Sequence, residues 1–340
     1  MGTTNFNVIQ YGAEGTSGNA VAADRIWPGM APNNLKIGTD VKPKFIREMN
    51  NVRVAERRVV NYQKLYENNL MTEDTTFQQL LFPLSCGLKG GVTAVEQTTS
   101  QTDYLWDFTP SLTATANEPE SATIELADDV QAWETEYCMF REININGTIS
   151  QDGGDAAVSC DMPFFGRKLT ETTKTPALAL STGELMNAKL ARLYLDTAWS
   201  GVGGTELANL LRGFQIKIMT GVHPDATGSA VDTFNSHKEG EIAVMGVFTI
   251  EAGSDANDIL GYMQTPTFMV ARLAINGTQI GSGDPHNLTV DIGGYFEAVG
   301  AIDGEDRNDN LASFSAHGTY DATGAKMLGL TLTTDVNAWS

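Results

Sequence analysis

Four histidines (His223, His237, His286, His317) and three cysteines (Cys86, Cys138, Cys160) are the side chains here best suited to hold a metal or act as nucleophiles. Their spacing argues against both roles. Zinc sites usually draw two ligands from one short turn, as in Cys-x-x-Cys, and no cysteine here has a cysteine or histidine that close. An odd number of widely separated thiols fits buried cysteines in a reducing compartment. The histidines all fall in Gly-, Asp- and Asn-rich stretches, which predicts exposed loop positions. Among the carboxylates, DGEDRNDN (Asp303 to Asn310) could offer oxygen ligands to Ca2+. It lacks the glycine at the sixth position and the closing glutamate of an EF-hand loop. SQDGGD (Ser150 to Asp155) has the same shortcoming, and both read as solvated acidic loops. The Gly-x-Ser-x-Gly elbow, His-Glu-x-x-His, the phosphate-binding loop and the dinucleotide fingerprint are all missing from the sequence. The reading is therefore of a non-enzyme, with no catalytic, cofactor-binding or metal residue assigned.

Charge narrows the partners. Lys and Arg number 22 against 42 Asp and Glu, a net charge of −20, which opposes general binding to a phosphate backbone. The basic residues are concentrated early. KPKFIREMNNVRVAERR, Lys42 to Arg58, holds six of them against two glutamates, a local charge of +4 that leaves −24 for the rest. Such a segment suits an acidic surface on another copy of the chain. The N-terminal stretch MGTTNFNVIQYGAEGTSG has neither a positive n-region nor an apolar h-region, so no signal peptide is expected, and no run is long and apolar enough for a membrane span. A cytoplasmic site of synthesis is expected, so the Asn-x-Thr matches at Asn146, Asn276 and Asn287 are not read as glycosylation sites.

The elements that would position any of these residues are mostly strands. Residues 1–35 show no sustained period and read as an extended arm that Phe6 and Trp27-Pro28 could anchor to a neighbour. Thr72 to Gly90 reads as a helix ended by Gly87 or Gly90: Thr75-x-x-Gln78 has capping-box form, and Phe77, Leu80, Leu81, Leu84 and Leu88 make an apolar stripe in which Pro83 should kink the helix or stop it early. Beyond it the period falls to two. Tyr137, Met139, Ile143 and Ile145 share one face, and Val158, Cys160, Met162 and Phe164 form the return strand of a hairpin. Alternation recurs at Leu193–Leu195, Phe214–Ile218, Ile242–Ile250, Leu288–Phe296 and Leu328–Leu332, with short helices expected at Thr205 to Leu211 and Asp255 to Met263.

The tetrapeptide Ile-Asn-Gly-Thr occurs twice, from Ile145 and from Ile275, each time closing an alternating run and followed by a Gly/Asp-rich stretch and a second run. Asn-Gly tolerates positive φ, so both copies read as tight turns. The shared pattern favours two related β domains, residues 36–175 and 176–340, meeting in LTETTKTPALALS, Leu169 to Ser181. The fold class is mainly β, sandwich- or barrel-like, with a short helix.

The order of these features, with TFQQLLFPLSCGL, YLWDFTPS (Tyr104 to Ser111), RLYLDTAW (Arg192 to Trp199) and LRGFQIKIMTG (Leu211 to Gly221), resembles the tail tube, or major tail, proteins of long-tailed bacteriophages with non-contractile tails (siphophages). The likeness extends over most of the chain. It implies a structural virion protein that polymerises with itself into stacked rings, meets tape-measure, tail-tip and terminator proteins, and conducts DNA without binding it specifically. It implies no cofactor and no membrane. The chain is longer than a single-domain tube subunit, so a duplicated subunit would form trimeric, pseudo-hexameric rings and a decorated one hexameric rings. The arm and the basic segment would bridge stacked rings. An acidic wall would keep the polyanion off the surface over ~8–10 Å, about a Debye length. Another phage structural protein, at the tail tip or on the capsid, shares this composition. A glycan-binding β-sandwich or a glycosidase, which needs only two well-separated carboxylates, would instead expose aromatic platforms among Trp106, Trp133, Trp199 and Trp339.

Overall fold

The computed structural model describes residues 7–28, 41–47, 55–56, 58–128, 130–149, 156–180, 182–229, 231–298, 303–306 and 309–339. The chain is mainly β. Strands β1 (Val8–Ala13), β2 (Arg25–Trp27), β3 (Lys44–Ile46), β4 (Arg58–Val60) and β5 (Tyr66–Thr72) precede helix α1 (Leu81–Gly87). Next come β6 (Val95–Glu96), β7 (Tyr104–Asp107), β8 (Ala122–Ala127), β9 (Ala132–Phe140), β10 (Glu142–Thr148), β11 (Val158–Gly166) and β12 (Leu169–Thr172). After the connector run β13 (Ala191–Asp196), β14 (Leu211–Met219), β15 (Val222–Asp225), β16 (Ser236–Glu239), β17 (Ala243–Glu251) and helix α2 (Ser254–Gln264). Last are β18 (Met269–Gln279), β19 (Pro285–Ala298), β20 (Asp303–Asp306), β21 (Asp309–Gly318) and β22 (Leu328–Thr334). Eighteen strands join one antiparallel sheet, while β3–β4 and β15–β16 stand apart as two-stranded ribbons.

The sheet crosses the expected boundary at residue 175. β10 pairs along its length with β14, and β7 pairs with β22. One apolar cluster takes in Ile9, Phe82 and Ile145 together with Ile216, Val290 and Leu330. The two halves therefore share a sheet and a core, because an open strand edge is satisfied most directly by the nearest free edge. The first four residues of the expected connector are themselves strand β12, paired with β9.

The expected N-terminal arm is integral to the fold over its described residues. β1 pairs residue for residue with β8, and β2 pairs back onto β1. Trp27 is only 1% exposed and lies edge-on to Tyr11 and Phe82. Phe6 and residues 29–35 lie outside the described set. Residues 335–339 return to the same place: Trp339 stacks on Phe82 at 5.6 Å, and Arg25 donates to the Ala338 carbonyl at 3.2 Å.

Around α1 the capping box is shifted by one residue from the expected pair. Thr76 N–H donates to Gln79 Oε1 at 2.7 Å, and Gln79 N–H to Thr76 Oγ1 at 3.2 Å. A 3-10 turn, Gln78–Leu80, leads into α1, whose third residue is Pro83. No kink is required there, because first-turn N–H groups have no acceptor in the helix anyway. The helix expected at Thr205 to Leu211 is instead a turn running beside β13, with Leu195 N–H bonded to Thr205 O and Leu207 N–H to Leu193 O. The helix expected at Asp255 to Met263 is α2.

Both Ile-Asn-Gly-Thr copies lie inside strands, β10 and β18, and neither is a turn. Their glycines are needed for space. A Cβ on Gly147 would strike the Phe214 ring, and one on Gly277 would come within 2.9 Å of the Phe77 ring and of His286 Cβ. Each strand forms a hairpin with the next, β10 with β11 and β18 with β19. Each is covered on its other edge by one of two successive strands, β14 and β13 respectively. Tyr137 and Met139 do not share a face with Ile143 and Ile145. Tyr137 adopts φ 59° and its N–H leaves the ladder to reach Glu14 Oε1 at 2.8 Å; the change of face itself comes at Arg141, where β9 ends and β10 begins.

Candidate functional site

The structure scatters the residues that the sequence marks for chemistry. All four histidines lie on strands, not loops. His223 shares a 3.0 Å contact with the Gly221 carbonyl, and His237 one of 3.2 Å with the Tyr137 hydroxyl. His286 is buried, stacked on Phe77 at 5.6 Å, and burial pulls its pKa down despite nearby Asp335 and Glu184. His317 faces Glu297 at 3.3 Å. The three cysteines are free and buried, and burial pushes the Cys160 thiol up to about 12. Asp303 to Asn310 contributes to the β20–β21 hairpin, with Asp306 opposite Asp309. Ser150 to Asp155 lies outside the described residues. Among the described residues no group of three or more His, Cys, Asp or Glu is placed to hold a metal ion.

An open cleft of about 770 Å³ lies between the Ser111–Asn117 loop and the Glu239–Ile242 turn. Its Glu239 carboxylate already accepts the Asn117 and Glu118 N–H groups at 2.8 and 3.0 Å, so the cleft is tied together by its own acid. Trp106 and Trp339, two of the four aromatic platforms that sugar binding would expose, are buried.

Two larger features stand out among the described residues. The first is a run of seven antiparallel strands, β5–β11–β10–β14–β17–β21–β19. One row across it, Cys160, Ile145, Ile216, Ala316 and Phe296 among others, enters the core. The neighbouring row, which register places side by side, is Met71, Asp161, Asn144, Lys217, Met245, His317 and Tyr295. This second face is polar and reaches solvent, with Lys217 bonded to Glu142 at 2.9 Å. Alternation is complete along β5 and β17 and broken in β10 and at the end of β11, so the face follows from sequence only in part.

The second feature is the β3–β4 ribbon, which carries the described part of the basic segment; residues 48–54 and 57 lie outside the described set. Phe45, Val59 and Tyr62 are 54%, 55% and 64% exposed there, and Lys44 Nζ lies 5.7 Å from the Tyr62 ring centre. Its base is held by charge. Glu67 receives Arg141 at 2.6 Å and Lys42 at 3.4 Å; burial opposes its ionisation, but the two cations hold its carboxyl below the usual range. Lys64 bridges to Asp232 at 3.0 Å, beside a small second core of Tyr137, Met139, Phe165, Val222 and Phe234 that seats the β15–β16 ribbon. Arg167 caps that core, 4.9 Å from the Tyr137 ring centre.

Sequence reasoning found the basic segment but not the sheet face, whose members are brought together only by long-range register. No protein-family model matches the chain, and no curated protein is similar enough to count as a relative. No helix among the described residues is long and apolar enough to cross a membrane.

Proposed function

We propose that this chain is a tail tube subunit of a siphophage virion, stacking as rings into the conduit through which DNA leaves the particle. The observation that carries the reading is the seven-stranded sheet with one face in the core and one polar face reaching solvent. A tube needs such a wall: a sheet that continues from copy to copy through strand pairing, apolar on the outside and water-facing within. On this reading Asp161, Glu142 and Glu297 belong to the lumen side, where fixed negative charge repels the passing polyanion. The exposed apolar and basic β3–β4 ribbon supplies contact between copies, since its charge is opposite to that of the remaining surface.

Electron microscopy of the purified, concentrated chain tests this. Hollow filaments with threefold or sixfold end views are expected, and the symmetry decides between three and six chains per ring. Monomers or small particles under all conditions, including with tail-initiation proteins added, would overturn the reading.

A further inference from the structure

We propose that Lys217 and Asn144 are the two ends of an intramolecular isopeptide bond, promoted by Glu142, that staples β10 to β14. Register sets Asn144 directly opposite Lys217, with Glu142 two residues from Asn144 on the same face. Glu142 Oε1 accepts from Asn144 Nδ2 at 2.7 Å, and its Oε2 lies 2.9 Å from Lys217 Nζ. A single carboxylate therefore grips both the amine and the carboxamide, which is the proximity an uncatalysed amide exchange lacks. Asn144 is only 8% exposed although it lies on the polar face, which limits competition from water. On its other side Asp161 is its register partner, and the buried Asp161 Oδ1 has no hydrogen-bond partner among the described residues. That leaves an acceptor unused beside the carboxamide.

The chemistry balances without an oxidant or cofactor. Glu142 takes a proton from the Lys217 ammonium, and the neutral Nζ attacks Asn144 Cγ to form a tetrahedral intermediate. A proton passes from the new C–N nitrogen through Glu142 to Nδ2, the Cγ–Nδ2 bond breaks, and ammonia leaves. The product is one Cγ–Nζ amide; Glu142 still holds the proton it took from the ammonium and gives it to the departing ammonia, which leaves as ammonium and restores the carboxylate. An ordinary ion pair at this exposure contributes little, whereas a covalent link here joins the two halves of the chain across neighbouring strands of the sheet they share.

Intact mass spectrometry of the full chain should give the sequence mass less one ammonia. Peptide mapping should then find the Asn144 peptide and the Lys217 peptide as one branched species. Lys217→Arg keeps the charge and Glu142→Gln keeps the shape, and each should restore the full mass. A protease site inserted between Ala177 and Leu178 gives a second reading: after cleavage the halves should stay together on a denaturing gel, and separate when Lys217→Arg is added. Unmodified mass in both fresh and aged protein would overturn the proposal. So would ammonia loss confined to unlinked peptides, the signature of succinimide at Asn146-Gly147 or Asn276-Gly277.

Discussion

Glu14 shows how much a single side chain organises. Its carboxylate accepts from Gly18 N–H and Ser121 Oγ at 2.6 Å, from Tyr137 N–H at 2.8 Å and from Thr123 Oγ1 at 3.0 Å. Removing it strands several buried donors at once, so Glu14→Ala should lower the unfolding free energy by about 3 kcal/mol in urea titrations. Gly277 is limited by space instead. Gly277→Ala should cost about 1–3 kcal/mol through overpacking against Phe77, and Phe77→Leu in the same chain should recover part of it. His286 gives a pH dependence. Its folded pKa is depressed, so the unfolded chain binds the proton more readily and stability is lost as pH falls through about 6.5 toward the lower folded value. Denaturation midpoints measured between neutral pH and pH 5 should slope downward, and His286→Gln should flatten that slope. His237, depressed mainly by burial as well, contributes in the same direction.

Elements differ in how openly the sequence announces them. β11, β14 and β17 bury one face and leave the other to solvent, so alternation declares them. β1 and β8 are buried on both faces, ATIELA throughout, and a strand with two dry faces has no alternation to read. That is why residues 7–28 look like an arm. Deleting Met1 to Leu35 should therefore abolish the folded state, seen as loss of cooperative unfolding by near-ultraviolet dichroism, rather than leave a folded subunit that cannot stack. The Ile-Asn-Gly-Thr copies were misleading for a different reason: Asn-Gly is a turn signal only where positive φ is wanted, and here glycine answers a steric demand made by Phe214 and Phe77 from distant elements. The Lys217–Glu142–Asn144 cluster was not legible at all, since nothing local links a β10 asparagine to a β14 lysine before the register is known.

At the scale of the whole molecule, the proposed assembly makes the β3–β4 ribbon separable from folding. Phe45→Asp with Val59→Asp should leave the thermal midpoint of the subunit within a few degrees of the parent, since both side chains are already exposed. The same variant should fail to form filaments by light scattering; filaments of normal length would show that the ribbon is not a contact.

The return of residues 335–339 to the aromatic cluster of Trp27, Tyr11 and Phe82 has a consequence in time. A ribosome that has made only the first 320 residues holds a chain in which β7 lacks β22, Trp106 has no Val336 carbonyl to donate to, and Phe82 lacks the ring of Trp339. Contacts between the two ends of the chain come last and are slow to find. On the proposed assembly, nascent copies on one message lack a finished fold until synthesis has passed Trp339, so joining between neighbours still being translated would be delayed.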